Sequence, residues 1–141
     1  MTSQLNVDTI VDKAGSGGTN VKIGNTSTYV SDGGNVTQNT VQSLLKAWGN
    51  FDGSGTVGTN DSFNMDSLTD NGTGNYTVNI TNDLANANGC MSGYSIMDGL
   101  VYGDSSNVSS AGSFRMRVVV GNTNGLMDPD EFHVLIAGDL A

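Results

Sequence analysis

The sequence predicts an all-β protein: an antiparallel β-sandwich or jelly-roll-like domain over residues 43–141, preceded by an extended N-terminal arm over residues 1–42. Apolar and polar residues alternate in short runs, which is the period of a half-buried strand. Clusters of Gly, Asn, Asp and Ser end these runs, and the chain of 141 residues contains 20 glycines. The runs recur at roughly 8–12-residue spacing, which is typical of sandwiches.

The arm begins with MTSQLNVDTIVDKAG, in which Leu5 and Val7 share one parity and Ile10 lies on the other. The following residues are poor in large apolar side chains and rich in Gly and Asn, a pattern that predicts short strands and turns. A segment this polar cannot form its own core. We therefore expect it to be flexible, or to be ordered by neighbouring copies or a docking partner.

The first strong strand signal is SLLKAWGNFD. Its alternation places one set of residues on the inward face and Trp48 on the opposite, less apolar face, together with Lys46 and Asn50. The inward set is Leu45, Ala47, Gly49 and Phe51. The preceding VQSLLKAW could form one helical turn, but the pattern beyond it is that of a strand.

A hairpin is predicted over SFNMDSLTDNGTGNYTVNIT. Phe63 and Met65 lead into it, and residues 70–74 supply a turn that contains Asn-Gly, since both residue types tolerate positive φ. The returning strand presents Tyr76, Val78 and Ile80 on one face.

The second half of the chain continues the strand pattern. CMSGYSIMDGLVYGD predicts one or two mostly apolar strands, and SFRMRVVVG and EFHVLIAGDL predict one alternating strand each. The residues expected to face inward on the last two are Phe114, Met116, Val118, Val120, Phe132, Val134 and Ile136.

Composition narrows the function classes. Asp and Glu outnumber Lys and Arg 14 to 5, giving a net charge of −9, so we expect no nucleic-acid or anionic-membrane partner, since both require clustered cations. The start lacks a basic and apolar leader, so we expect no signal peptide. The single cysteine, Cys90, cannot form an internal disulfide. With only 36% hydrophobic residues, further burial between identical chains is a hypothesis for how the fold is stabilised.

Two acidic segments are candidate metal sites. The loop that starts at Asp52 places Val57 where an EF-hand calcium loop needs Gly and Phe63 where it needs Glu, so an ordinary turn is favoured. The segment Asp128–Glu131 could offer three carboxylates, but its composition is that of an exposed turn with Pro129 fixing φ. We expect no metal and no cofactor.

The residues that catalysis needs are scarce. Nucleophilic catalysis needs a base beside the nucleophile, and the single His133 lies in a strand with nothing in the sequence to bring Ser or Cys90 near it. Glycoside cleavage by paired carboxylates stays an alternative, because their separation cannot be read from sequence. We expect no catalytic residues and no enzymatic activity.

Three aromatic residues are candidates for contact with a glycan: Trp48, Tyr94 and Tyr102. Flat aromatic faces suit sugar rings. Packing in a core or between subunits is the favoured alternative for Trp48, because its large side chain covers a small core well.

KAWGNFDGSGTV, DSFNMDSLTDNGTGNYTVNIT and the closing FHVLIAGD resemble the repeated domain of tail-fibre and other appendage proteins of tailed bacteriophages, particularly marine and cyanobacterial ones. LNVDTIVDKAG is similar to the short motif with which many of these proteins begin. The resemblance is good over about residues 1–13 and 44–82 and loose elsewhere. Gly49 departs from the family pattern, which prefers an apolar residue there; a glycine weakens the inward face or lets another backbone approach.

The resemblance implies a structural virion protein, commonly trimeric, made in the host bacterial cytoplasm. It docks on another virion protein through its N-terminus, near Leu5, Val7 and Ile10, and presents a β-rich domain for host attachment. A capsid decoration protein or head fibre is the alternative within this class, since 141 residues leave little room for a long shaft. From another class comes a module that binds host glycans.

Overall fold

A computed structural model of the chain describes residues 28–30, 37–40, 42–96, 99–103 and 110–139. Every regular element in these ranges is a β-strand, which confirms the all-β prediction. The strands are β1 (Thr28–Val30), β2 (Thr37–Asn39), β3 (Ala47–Asp52), β4 (Gly58–Phe63), β5 (Met65–Asp70), β6 (Asn75–Ile80), β7 (Cys90–Ser95), β8 (Gly99–Gly103), β9 (Ser113–Val120) and β10 (Phe132–Ala137).

The chain divides into two compact units, Met1–Val41 and Gln42–Ala141. In the first unit β1 and β2 pair antiparallel, with Thr28 opposite Asn39. These are short strands of the kind that the broken alternation of this segment predicts. The proposed docking residues Leu5, Val7 and Ile10 lie outside the described residues.

The second unit is one antiparallel sheet of eight strands in the order β4-β3-β10-β7-β8-β9-β6-β5. Within it, β7, β8 and β9 form a meander and β10 returns beside β7, which is the Greek-key order. The two edge strands, β4 and β5, are consecutive in the chain and are joined by Asn64 alone. The two ends of the sheet therefore meet, and the fold is a nearly closed sandwich.

Aromatic contacts across the interior show how the sheet folds onto itself. Tyr76 of β6 stacks on Phe132 of β10 with ring centroids 4.8 Å apart, although three strands separate β6 from β10 in the sheet. Alternation turns one side of β3, β6, β9 and β10 into this interior. The buried cluster is Ala47, Phe51, Tyr76, Val78, Ile80, Leu84, Phe114, Met116, Val118, Phe132, Val134 and Ile136.

The start of β3 differs from the prediction. The strand begins at Ala47, and Leu45, expected inward, is 50% exposed, whereas Lys46, expected outward, is 4% exposed. Residues 42–44 form turns and a bend, so strand alternation does not set the direction of the side chains before Ala47. The helical turn considered for VQSLLKAW is absent from the described residues of this segment.

The predicted hairpin is interrupted at its first residues. Phe63 does not lead into it but ends β4, where it lies opposite Trp48, while Met65 begins β5. Asn64 between them has φ of 56°, a left-handed conformation that breaks a strand and that Asn tolerates. The returning strand is as predicted, with Tyr76, Val78 and Ile80 buried.

The inward alternation of β9 ends one residue early. Val118 and Val119 are both buried, and Val120, expected inward, is half-buried. At this point Val119 also forms an additional antiparallel bridge with Leu126.

Gly49 is buried. The ring of Phe51, two residues along the same strand, occupies the space where a Cβ at position 49 would lie. Phe51 is itself fully buried and packs on Phe132 at 5.3 Å between ring centroids. The inward face of β3 is thus filled by an aromatic ring that needs glycine beside it.

Candidate functional site: an aromatic stripe and cleft on the outer sheet face

Large apolar side chains cross the outer face of five neighbouring strands, from β4 to β8. The register aligns them: Phe63 lies opposite Trp48, Trp48 opposite Leu135, and Tyr94 opposite Leu100. We call this set the outer stripe, which consists of Phe63, Trp48, Leu135, Tyr94, Leu100 and Tyr102. Contiguous exposed apolar surface of this kind marks a site of interaction.

A shallow cleft of about 510 Å³ opens in the middle of the stripe. It spans β3, β10 and β7, with Trp48 on one side and Tyr94 on the other. Its lining is Trp48, Gly49, Ser92, Gly93, Tyr94, His133, Val134 and Leu135. Two of the three aromatic candidates are therefore brought together, whereas Tyr102 lies on β8 outside the cleft and is 42% exposed.

His133 forms part of the cleft wall as half of a stacked pair. Its ring lies 4.4 Å from that of Tyr94 with only 10° between the planes. Its Nε2 lies 3.0 Å from Oε1 of Glu131, and Asn50 Nδ2 donates to the same oxygen at 2.8 Å. A carboxylate held by an amide thus contacts the imidazole, and the imidazole in turn stacks on Tyr94.

In the acidic segment before β10, Asp128 and Asp130 are exposed as expected, but the segment is also tied to the rest of the sandwich. Pro129 is buried, and Asp128 Oδ1 accepts hydrogen bonds from Gly74 N at 2.6 Å and from the Tyr76 hydroxyl at 2.9 Å. The same hydroxyl lies 3.1 Å from Gly53 O. Asp128 thus ties three loops at one end of the sandwich.

Two ionisable groups at this end have shifted acidities. Burial, reinforced by the Asp128 carboxylate, raises the pKa of Tyr76 well above its ordinary value. Hydrogen bonds from Ser54 N and Oγ, each 2.8 Å from Asp52 Oδ1, lower the pKa of Asp52. The loop examined as a calcium site is therefore a turn closed by its own serine.

Lys46 is a buried cation that the alternation pattern missed. Its Nζ donates to Leu44 O at 2.6 Å. Burial lowers the pKa of Lys46, and the charge of Asp139 opposes that shift. These contacts hold the chain as it enters β3.

Among the described residues, no group of three or more His, Cys, Asp and Glu side chains is placed to hold a metal ion. Within the same ranges, no helix is long and apolar enough to span a membrane. The one cysteine, Cys90, is exposed, and in register it lies opposite Ala137.

Sequence reasoning found the aromatic walls of the cleft but missed its centre. Leu135 and the stacked His133 come from β10, which lies between β3 and β7 in the sheet although it is last in the chain. Their outward parity could be read from the alternation of EFHVLIAGDL. Their neighbours could not, because strand order depends on pairing between distant segments.

Comparison with known proteins found no matching family model, no matching curated protein and no matching solved structure. The functional assignment is therefore built on the sequence motifs and on the stripe and cleft described above.

Proposed function

We propose that this protein is a structural component of a tailed-bacteriophage virion: a small, homotrimeric tail-fibre or appendage protein. It docks on another virion protein through the N-terminal arm and presents the sandwich domain for attachment to the host. The virion location rests on the sequence resemblance of the arm and of the β3–β6 segment. The alternative within the class, a capsid decoration protein or head fibre, uses the same two parts.

The observation that carries the proposal is the outer stripe. The sandwich encloses its own core, so its large exposed side chains are not needed for that core: Tyr94 is 58% exposed, Leu100 56% and Phe63 55%. Exposed aromatic and aliphatic side chains aligned on one sheet face are typical of a surface used for recognition. This supports a binding and assembly role over a catalytic one.

The test of docking uses the full chain carried by the phage. We expect the triple substitution L5S/V7S/I10S to remove the protein from purified particles, because the arm loses the apolar side chains expected to contact its partner. The matched control N6S/D8S changes the polar positions between them and should leave incorporation intact. Immunoblots of purified particles measure both.

Thermal unfolding of the two purified variants should be alike, because the sandwich core does not include the arm. Retention of L5S/V7S/I10S in particles would overturn the docking role. Antibody labelling of particles in electron micrographs then distinguishes a tail location from a head location.

A further inference from the structure

We propose that the cleft between Trp48 and Tyr94 binds a neutral hexopyranose unit of a surface polysaccharide. The proposal rests on the proposed function, since it names the ligand of the surface presented to the host. The shape, chemistry and extent of the cleft and of the outer stripe around it favour this class of ligand.

The lining of the cleft has the composition of a small-ligand site. Sites of this kind occupy roughly 300–1,000 Å³ and combine apolar and aromatic walls with a few polar groups. Here Trp48, Tyr94 and Leu135 supply the apolar surface, while Ser92 and His133 supply polar atoms. A hydroxyl both donates and accepts, which suits the hydroxyl groups of a sugar.

The aromatic walls favour a pyranose over other small molecules. The face of an aromatic ring carries partial negative charge, and the C–H groups on one side of a pyranose carry partial positive charge, so the two stack. Trp48 and Tyr94 stand on strands on either side of β10, and the cleft lies between them. A saccharide bound in the cleft therefore has an aromatic side chain on each side, and the Ser92 hydroxyl is part of the same lining.

The wall formed by His133 and Tyr94 is already ordered. Glu131 holds the imidazole and Asn50 holds Glu131, so little side-chain freedom is lost when a ligand binds. Side chains that would otherwise rotate in solvent are fixed in the unliganded protein. This is the arrangement expected of a binding site rather than of incidental surface.

The charge around the cleft selects against anionic sugars. Glu131 lies directly behind His133, and Asp61 lies opposite Asn50 on the neighbouring strand. The chain as a whole carries a net charge of −9. A uronic or sialic acid is repelled by this field, whereas a neutral hexose is not.

The extent of the stripe favours a ligand over a second copy of the chain. Six side chains on five strands about 4.8 Å apart, with at most two outward positions along any strand, cover no more than roughly 300 Å². A stable protein interface buries about 800 Å² on each partner. The stripe alone is too small to hold a dimer, but it is large enough for a short oligosaccharide that crosses the strands.

The experiment exploits Trp48, which is the only tryptophan of the chain. Its fluorescence reports the cleft directly. The full-length protein is titrated with cellotriose, maltotriose and a β-linked galactotriose, with trigalacturonic acid as an anionic comparison. We expect one neutral trisaccharide to shift the emission of Trp48 saturably, and trigalacturonic acid to leave it unchanged.

Three substitutions test whether the sugar binds in the cleft. Tyr94→Ala should weaken the binding of the active trisaccharide by about tenfold, because it removes one stacking partner. Leu126→Ala is the control, since Leu126 is an exposed apolar residue outside both the outer stripe and the cleft lining, and its affinity should match that of the parent. Trp48→Ala lacks the fluorescent side chain, so its affinity for the sugar is measured by calorimetry. We expect this affinity to fall as well.

Several results would overturn the proposal. They are no saturable response to any neutral trisaccharide, equal loss of affinity in Tyr94→Ala and Leu126→Ala, or preferential binding of the anionic sugar. A shift in Trp48 emission that depends on protein concentration without sugar would assign the cleft to a second copy. If no sugar binds but incorporation into particles still depends on the arm, the sugar proposal fails and the proposed virion role stands.

Discussion

Gly49 is the residue where this chain departs from the appendage-protein pattern, and its neighbour explains why glycine fits. The Phe51 ring lies where a Cβ at position 49 would be, so an added side chain must displace an aromatic ring from a packed core. We expect Gly49→Val to lower the free energy of unfolding by about 1–3 kcal/mol, the usual cost of overpacking. Gly58→Ala in β4 is the matched control, because open space surrounds its added Cβ. Urea unfolding monitored by Trp48 fluorescence measures both.

A double-mutant cycle tests whether the clash with Phe51 causes this loss of stability. If the two positions share one space, Gly49→Val combined with Phe51→Leu should cost clearly less than the sum of the single substitutions, because the smaller leucine makes room. Additive costs would show that the ring and the glycine are independent.

Tyr76 makes the stability of the protein sensitive to alkaline pH. Its hydroxyl is held by Asp128 and Gly53, and its pKa in the folded protein is raised above the ordinary value of 10.0. As pH rises past 10 the unfolded chain loses this proton while the folded protein keeps it. The folded state then binds more protons than the unfolded state, and stability falls. We expect Tyr76→Phe to cost about 1.5–3 kcal/mol at pH 8, the contribution of a hydrogen bond to a charged group.

The difference between parent and Tyr76→Phe should shrink at pH 11, because the variant lacks this ionisation. Guanidinium unfolding at pH 8, 10 and 11 measures this difference. Tyr102→Phe on the exposed outer face provides the control and should track the parent at every pH. A difference that stays constant across the range would contradict the assignment.

Among the elements, the strands predicted best are those whose sequence alternates without interruption. β6 and β10 follow their predicted faces at every apolar position, because a buried face imposes the period of two. Errors arise where the chain leaves the extended conformation. Asn64 bends the backbone between β4 and β5, and nothing in SFNMD distinguishes this corner from a continuous strand.

For the candidate site, too, the sequence predicts which residues face outward but not which of them are neighbours. The outward parity of Trp48 follows from local alternation, and the structure confirms it. The meeting of Trp48 with Tyr94 depends on β10 pairing with both β3 and β7, contacts that join residues more than 35 positions apart. The carboxylate that fixes His133 also comes from outside any strand, in the acidic segment expected to be an exposed turn.

At the scale of the whole molecule, the unassigned exposed apolar residues bear on the proposed trimer. Leu44 and Leu45 stand together at the start of the sandwich unit, 57% and 50% exposed, outside both the core and the outer stripe. Two adjacent leucines in water are unfavourable unless a partner covers them. Neither leucine lines the cleft, so burial of this pair between copies is compatible with a ligand in the cleft.

We therefore expect light scattering after size-exclusion chromatography to give three times the mass of one chain at micromolar concentration. The substitution L44S/L45S should shift the protein toward monomer, because it removes apolar area that only association buries. Its melting temperature should also lose the dependence on protein concentration that assembly gives the parent. Leu126→Ser, at a similarly exposed leucine far along the chain, is the control and should remain trimeric. A parent that elutes as a stable monomer would contradict the trimer, and the proposed sugar site could then be tested on the single chain.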